Sequence, residues 1–177
     1  MTASRRLPGP ESAVLVTVTV RRISRIANPA SAIPSEPALG KLYSTTFYAL
    51  AGRQLTPDGV LVTQATSPYR SRQAFWCIKH TIETPRWGRQ QEERLFARGY
   101  HTQVPSFGSW GFVMARREPF AILTGHLSVL TQYLTDPMLA TLFVFPKTMD
   151  EIPTPVSRLN DPAVVRLYRQ GYSQYFD

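Results

Sequence analysis

The chain has 177 residues, 43% of them hydrophobic, and a formal net charge of +8. That length suits one domain and cramps two; no run of about 18 apolar residues occurs, so no membrane span is expected. Cys77 is the single cysteine, which rules out an internal disulfide, and the run from Val14 to Val20 lacks a small-residue cleavage site after it, so the chain reads as cytoplasmic.

Residues 1–37 differ in texture from the rest. They hold five of the fifteen prolines and five arginines against two acids, Glu11 and Glu36, and they read as an atypical, poorly ordered N-terminal segment. Within them, residues 13–26 have a strand pattern, because Val14, Val16, Val18 and Val20 alternate with Leu15, Thr17 and Thr19. Residues 38–177 form the domain proper. Ser44, Thr45 and Thr46 offer capping hydroxyls to a helix predicted over 45–54, with Phe47, Leu50, Ala51 and Leu55 on one face. Thr56-Pro57-Asp58-Gly59 is a turn.

Val60, Leu61, Val62 and Thr63 then form the central strand. Four uncharged, β-rich residues suggest a strand covered on both faces, as in a parallel sheet with helices on either side. Gln64 stands at its carboxyl end, followed by Thr66 and Ser67, where ligands sit in open α/β sheets. A helix is predicted over 71–84, with Ala74, Phe75, Ile78 and Ile82 inward, ended by Pro85. Residues 86–99 read as a polar surface excursion in which 90–97 form a short exposed helix. Residues 100–104 and 110–115 form two strands of an antiparallel hairpin. Short helices follow at 127–134 and 137–143, the second capped by Asp136, and a last one opens at Asp161-Pro162 and ends at Gly171. The order helix, strand, helix, strand, strand, helices is that of the second half of an α/β sandwich.

Several chemistries have no motif here. No two glycines are spaced for a dinucleotide or phosphate loop, and there is no nucleophile elbow. Cys77 and His80 stand three apart on a helix, too few ligands for a metal. Basic residues such as Arg53, Arg70, Arg72, Arg86 and Arg116 are scattered, which places nucleic-acid binding last among the candidate roles. The most unusual segment interleaves Phe107, Trp110 and Phe112 with Gly108 and Gly111. Its spacing serves equally a wall over an aliphatic substrate and an aromatic hairpin packed on the core.

These segments together resemble the carboxyl-terminal half of the catalytic domain of the spermidine synthases, the polyamine aminopropyltransferases. The residues carrying the resemblance are Gly40-Lys41-Leu42-Tyr43-Ser44 with Phe47-Tyr48; Leu55 with Pro57, Asp58 and Gly59; and Leu61-Val62-Thr63-Gln64 with Ser67-Pro68. Phe75-Trp76, Val104-Pro105-Ser106-Phe107-Gly108 with Trp110-Gly111-Phe112, Phe143-Val144-Phe145-Pro146 and Arg158-Leu159-Asn160 continue it. The resemblance implies a partial Rossmann-like, methyltransferase-type α/β sandwich, of which only the carboxyl half is present, with the antiparallel strand pair near its end.

It also implies transfer of an aminopropyl group from decarboxylated S-adenosylmethionine, a co-substrate and not a tightly held cofactor, to putrescine. Gln64 matches the family's substrate-site glutamine, and Phe107 and Trp110 match the loop lining the diamine channel. The family's glycine-rich nucleotide loop has no counterpart here. Its catalytic aspartate lies in an Asp-rich segment just before the Gly-Lys-Leu-Tyr match, where this chain has no Asp between Asn28 and Pro37 and Glu36 is the only carboxylate. The expectation is therefore a truncated and inactive form, which a homo-oligomer or a partner chain supplying the missing half would complete. A non-catalytic partner of a full-length synthase and an S-adenosylmethionine-dependent methyltransferase relative are the alternatives.

Overall fold

The computed structural model describes residues 37–104, 108–121 and 130–173. The strand expected at 13–26 and the first three residues of the helix expected at 127–134 lie outside the described residues. Helix α1 (Pro37–Gly40) and a 3-10 turn (Lys41–Tyr43) lead into α2 (Thr45–Gln54), which begins and ends where its sequence pattern does. Ser44 caps α2: its hydroxyl accepts from the Phe47 N–H at 3.2 Å and donates to the Lys41 carbonyl at 2.7 Å. The inward face of α2 differs from expectation. Leu50 is 56% exposed, while Tyr48, Ala51 and Leu55 are buried, because these three are the residues that fall at i, i+3 and i+7 toward the neighbouring helix.

Strand β1 (Leu61–Gln64) follows the turn closed by the Gly59 N–H on the Thr56 carbonyl. Helix α3 (Arg72–Glu83) buries Ala74, Phe75, Ile78 and Ile82 completely, as expected. The exposed helix expected at 90–97 does not form. Instead Trp87 and Glu93 bridge through two backbone hydrogen bonds of 3.1 Å, and β2 (Phe96–Val104) starts within that span. The reason is Trp87. Its ring is buried over Gly52, where a Cβ would come within 2.4 Å of it, and its indole N–H donates to Glu93 Oε2 at 2.7 Å. Arg117 pairs with the same carboxylate.

Strand β3 (Gly108–Arg116) returns antiparallel to β2, from Val104 opposite Gly108 to Phe96 opposite Arg116. This is the expected hairpin with longer arms. β1 also pairs antiparallel with β3, Leu61 opposite Ala115 and Gln64 opposite Phe112, so the sheet order is β1-β3-β2. The reading of β1 as a parallel strand covered on both faces is thereby corrected: among the described residues its neighbour is antiparallel, and it is only half-buried throughout. The chain is mixed α/β with a three-stranded antiparallel sheet.

Helix α4 (Asp136–Thr141) has Thr135 at its cap position, so Asp136 is a first-turn residue and not the cap. Residues 130–134 are not helical. Helix α5 (Ala163–Ser173) runs through Gly171, the expected terminator. Gly171 is needed there for packing: a Cβ would sit 2.5 Å from Ser71 Oγ.

The core lies between α2, α3 and α5 and one face of the sheet. It joins Tyr48, Phe75, Trp76, Ile78, Ile82 and Val164 to Ala65, Ala97, Val113 and Ala115 from the strands. Phe75 packs close against the sheet because Gly99 and Gly111 face it. A Cβ on Gly99 would come within 2.9 Å of the ring, and one on Gly111 within 2.4 Å. The outer face of α3 carries an ionic cluster. Lys79 Nζ is 3.1 Å from Glu83 Oε2 and 2.7 Å from Glu151 Oε1, and His80 bridges Glu151 and Thr154 at 2.8 Å each. Burial opposes ionisation of Glu151, but the bonds and charges of Lys79 and His80 outweigh it and hold the carboxyl below its usual range.

Two predictions follow from this packing. Gly111→Ala should cost about 1–3 kcal/mol in chemical denaturation, since neither the ring nor the Thr66 carbonyl beneath it can retreat; a neutral effect would contradict the close approach. Glu151 ionises more readily folded than unfolded, so it stabilises above its unfolded value near 4.5 and stops doing so as pH falls through the lower folded value. Because the group is 47% exposed, Glu151→Gln should cost less than about 1 kcal/mol at neutral pH. That difference should vanish in melts at acid pH.

Candidate functional site at the carboxyl end of the central strand

The carboxyl end of β1 is held by three neighbours. The Ala65 N–H donates to the Gly111 carbonyl at 2.9 Å, and the Gly111 N–H donates to the Thr66 carbonyl at 2.7 Å. The second bond reaches one residue further along the chain than the ladder requires, and Thr66 takes a positive φ of 64° to allow it. The segment then drops into α3. Ser67 Oγ accepts from the Arg70 N–H at 3.2 Å, and Ser71 Oγ donates to the Leu167 carbonyl of α5 at 3.3 Å. Thr66, Ser67 and Ser71 are all buried. The position of Gln64 is therefore set by the β3 register on one side and by α5 beyond it.

Gln64 is opposite Phe112, and Trp110 follows on the same face of β3, two residues nearer the hairpin. Two of the expected site residues thus share one face of the sheet, the one turned away from α3. Phe107 lies outside the described residues. Trp110 is 8% exposed, so its ring is largely covered. Within the hairpin, Val113 and Ala115 face the core, whereas Trp110 and Phe112 face the Gln64 side of the sheet.

The structure adds residues that the sequence did not single out. Tyr100 is opposite Phe112 and stacks on it, centroids 5.4 Å apart at 20°, with Phe143 tilted against Tyr100 at 5.5 Å. Burial pushes the Tyr100 phenol up to about 12, so at neutral pH it is a neutral donor and not a base. The strand bounds expected from the sequence, 100–104 and 110–115, would by counting put Tyr100 opposite Met114; the ladder instead pairs Val104 with Gly108 and so sets Tyr100 opposite Phe112. Tyr172 of α5 brings its hydroxyl to 3.2 Å from Thr66 Oγ1, and the Tyr168 ring is tilted against that of Tyr172, centroids 4.5 Å apart. A sequence separation of 106 residues hides that contact from any local pattern.

Other arrangements fall away from this end. Cys77 and His80 are not brought to a common site. Cys77 is buried beside Thr81, and burial pushes its thiol up to about 11, while His80 turns outward to Glu151 and Thr154. Among the described residues no group of three or more His, Cys, Asp or Glu is placed to hold a metal ion, and no helix is long and apolar enough to cross a membrane. A cavity of about 310 Å³ lies on the α3 side of β2, lined by Trp76, Lys79, Glu83, Phe96 and Phe145 among others. None of Gln64, Thr66 or Trp110 lines it. Aromatic rings line it beside Lys79, Glu83 and Glu151, which already pair with one another.

No family model matches the chain. Curated relatives do. A polyamine aminopropyltransferase of Oceanobacillus iheyensis is 37% identical over 146 residues, which is 80% of this chain and 27% of the relative. One from Leptospira interrogans is 33% identical over 144 residues, covering 81% of this chain and 27% of the relative. One from Mycobacterium tuberculosis is 38% identical over 146 residues, covering 78% and 25%. The chain spans about a quarter of the length of the curated relatives it matches. On these similarities, which agree with the ordered motifs from Gly40 to Asn160, the chain belongs to the polyamine aminopropyltransferase family.

Proposed function

We propose that this chain supplies the amine-binding side of an aminopropyltransferase site, and that residues outside it supply the nucleoside-binding side. The observation that carries the reading is the shared face at the carboxyl end of β1: the Gln64 position beside Phe112, Trp110 and Tyr100. Aromatic walls suit the methylene chain of a diamine, and ring faces attract its ammonium ends by about 0.5–2 kcal/mol each. The Gln64 amide can accept from an ammonium. In the reaction, a neutral amine nitrogen of putrescine attacks the propyl carbon beside the sulfonium of decarboxylated S-adenosylmethionine. The C–N bond forms, the C–S bond breaks, and its electron pair goes to sulfur. The positive charge passes to the new secondary ammonium, which then releases a proton. Positioning and stabilisation of that ammonium lower the barrier.

Charge supports the division of labour. A net charge of +8 repels a cationic diamine at long range, so local carboxylates must recruit it. The described carboxylates with assigned partners are engaged elsewhere, Glu83 and Glu151 with Lys79 and Glu93 with Arg117. The helix and strand order is consistent with one part of a methyltransferase-type sandwich, completed by residues beyond this quarter. A second reading, a partner without chemistry of its own, is favoured by one fact: no Asp occurs between Asn28 and Pro37.

A chimera decides between them. The matched quarter of the Oceanobacillus relative is replaced by residues 37–177 of this chain, and spermidine formation is assayed. The proposed reading expects activity, and Trp110→Ala in the chimera should raise KM for putrescine roughly tenfold or more while leaving KM for the nucleoside substrate unchanged. A chimera that melts cooperatively but makes no spermidine would establish the non-catalytic reading. Separately, calorimetry of this chain alone with methylthioadenosine should show no saturable binding; clear binding would mean that the nucleoside side is present after all.

A further inference from the structure

Several arginines of this chain find acceptors within it. Arg117 pairs with Glu93 and Arg166 with Asp161. Arg72 donates to the Asp150 carbonyl, and Arg86 to three carbonyls at the end of α3. Three arginines around Phe96 do not. Phe96 is opposite Arg116, and Arg98 is opposite Met114. Because Ala97 and Ala115 face the core, Arg98 and Arg116 project from the sheet face away from α3, as diagonal neighbours roughly 7 Å apart. Neither has an acceptor among the described residues, and Arg116 Nε is buried without a hydrogen-bond partner. Arg94 lies over the Phe96 ring, its guanidinium carbon 4.3 Å from the centroid. The ring takes one face of that guanidinium and leaves its N–H edge open. Glu118, the carboxylate that follows Arg116 and Arg117, is exposed and pairs with none of the three.

A buried guanidinium nitrogen without a bond and two like charges on adjacent strands both raise the energy of this arrangement. A counter-ion relieves both. We propose that Arg94, Arg98 and Arg116 bind a small phosphate-bearing dianion beside Phe96. None of these four residues belongs to the motifs that carry the family resemblance. The site stands apart from the Gln64 position, four residues along β3 from Phe112 and so about 13 Å away. Charge and shape select phosphate over a carboxylate. Three cations call for more than one negative charge, and a tetrahedral group accepts from several guanidinium forks at once. A small ion is selected over a polyanion because these cations are grouped about one ring, while the other basic residues are scattered and form no track for a nucleic-acid backbone.

Calorimetry of the full chain with pyrophosphate, at about 0.15 M salt, should show saturable one-to-one binding. In a parallel titration the Arg116 Nε–H resonance should shift and reach a plateau. Arg98→Gln and Arg116→Gln should each weaken binding roughly tenfold or more. Lys147→Gln removes the same charge near Met149, which Trp76 anchors on the α3 side of the sheet, and should change binding less than about twofold. Arg98 is exposed, so its variant tests the site whether or not the Arg116 variant folds. Three results overturn the inference: no saturable binding; a loss in Lys147→Gln as large as in the arginine variants, which means diffuse charge only; or an Arg116 resonance unmoved at saturation. A short single-stranded oligoribonucleotide is titrated separately. If it binds far more tightly than pyrophosphate and through the same arginines, the occupant is a nucleic-acid backbone and the small-ion assignment fails. If it binds no more tightly than pyrophosphate, the assignment stands.

Discussion

The contact of Phe75 with Gly99 and Gly111 sets the geometry on which the remainder of the described fold depends. A ring lying on bare backbone brings α3 closer to the sheet than any side chain would permit, and the two glycines sit on adjacent strands, so one ring spans both. Interiors packed at this density transmit displacement instead of absorbing it. Moving α3 outward would take Ser71 with it, and Ser71 is tied to α5 through the Leu167 carbonyl and the bare Cα of Gly171. The Thr66 carbonyl, bound to the Gly111 N–H, belongs to the same unit. The candidate site is thus placed by a chain of contacts that begins on the far side of the sheet.

Polar groups in the core show how closely this arrangement is balanced. Thr81 donates to the Cys77 carbonyl at 2.6 Å and accepts from the Ser157 N–H at 2.9 Å, anchoring the irregular segment before α5 to α3. Trp76 does the same at the Met149 carbonyl at 3.0 Å. Tyr48 is an exception. Its hydroxyl is fully buried near Thr63 without a partner in bonding geometry, Thr63 being turned toward the Gln64 carbonyl at 3.5 Å. An unpaired buried hydroxyl costs about 1–3 kcal/mol.

On the β2 side of the sheet the chain covers its own edge and seals both faces with Phe143 and Phe145. The β1 side carries Gln64, at the strand end where the family resemblance puts substrate. The aromatic face around Trp110 lies between them.

Local pattern determined much of this protein. The Ser44 hydroxyl and the apolar spacing located α2, the Ala74–Ile82 stripe located α3, and the short connection after Val104 announced the hairpin, though not its register. Gln64 was legible because a strand end followed by Thr66 and Ser67 is a local feature, and the family motifs are themselves local. Tertiary structure decided what depends on distant partners. Trp87 abolished an expected helix by packing on Gly52, and Gly171 stayed inside α5 because Ser71 needed the space. β1 proved antiparallel and half-covered because β3, some fifty residues later, pairs with it. An uncharged four-residue run reports how apolar a strand's surroundings are, but its direction and its neighbours are set by backbone hydrogen bonds to residues far along the chain, and no spacing within the strand encodes them.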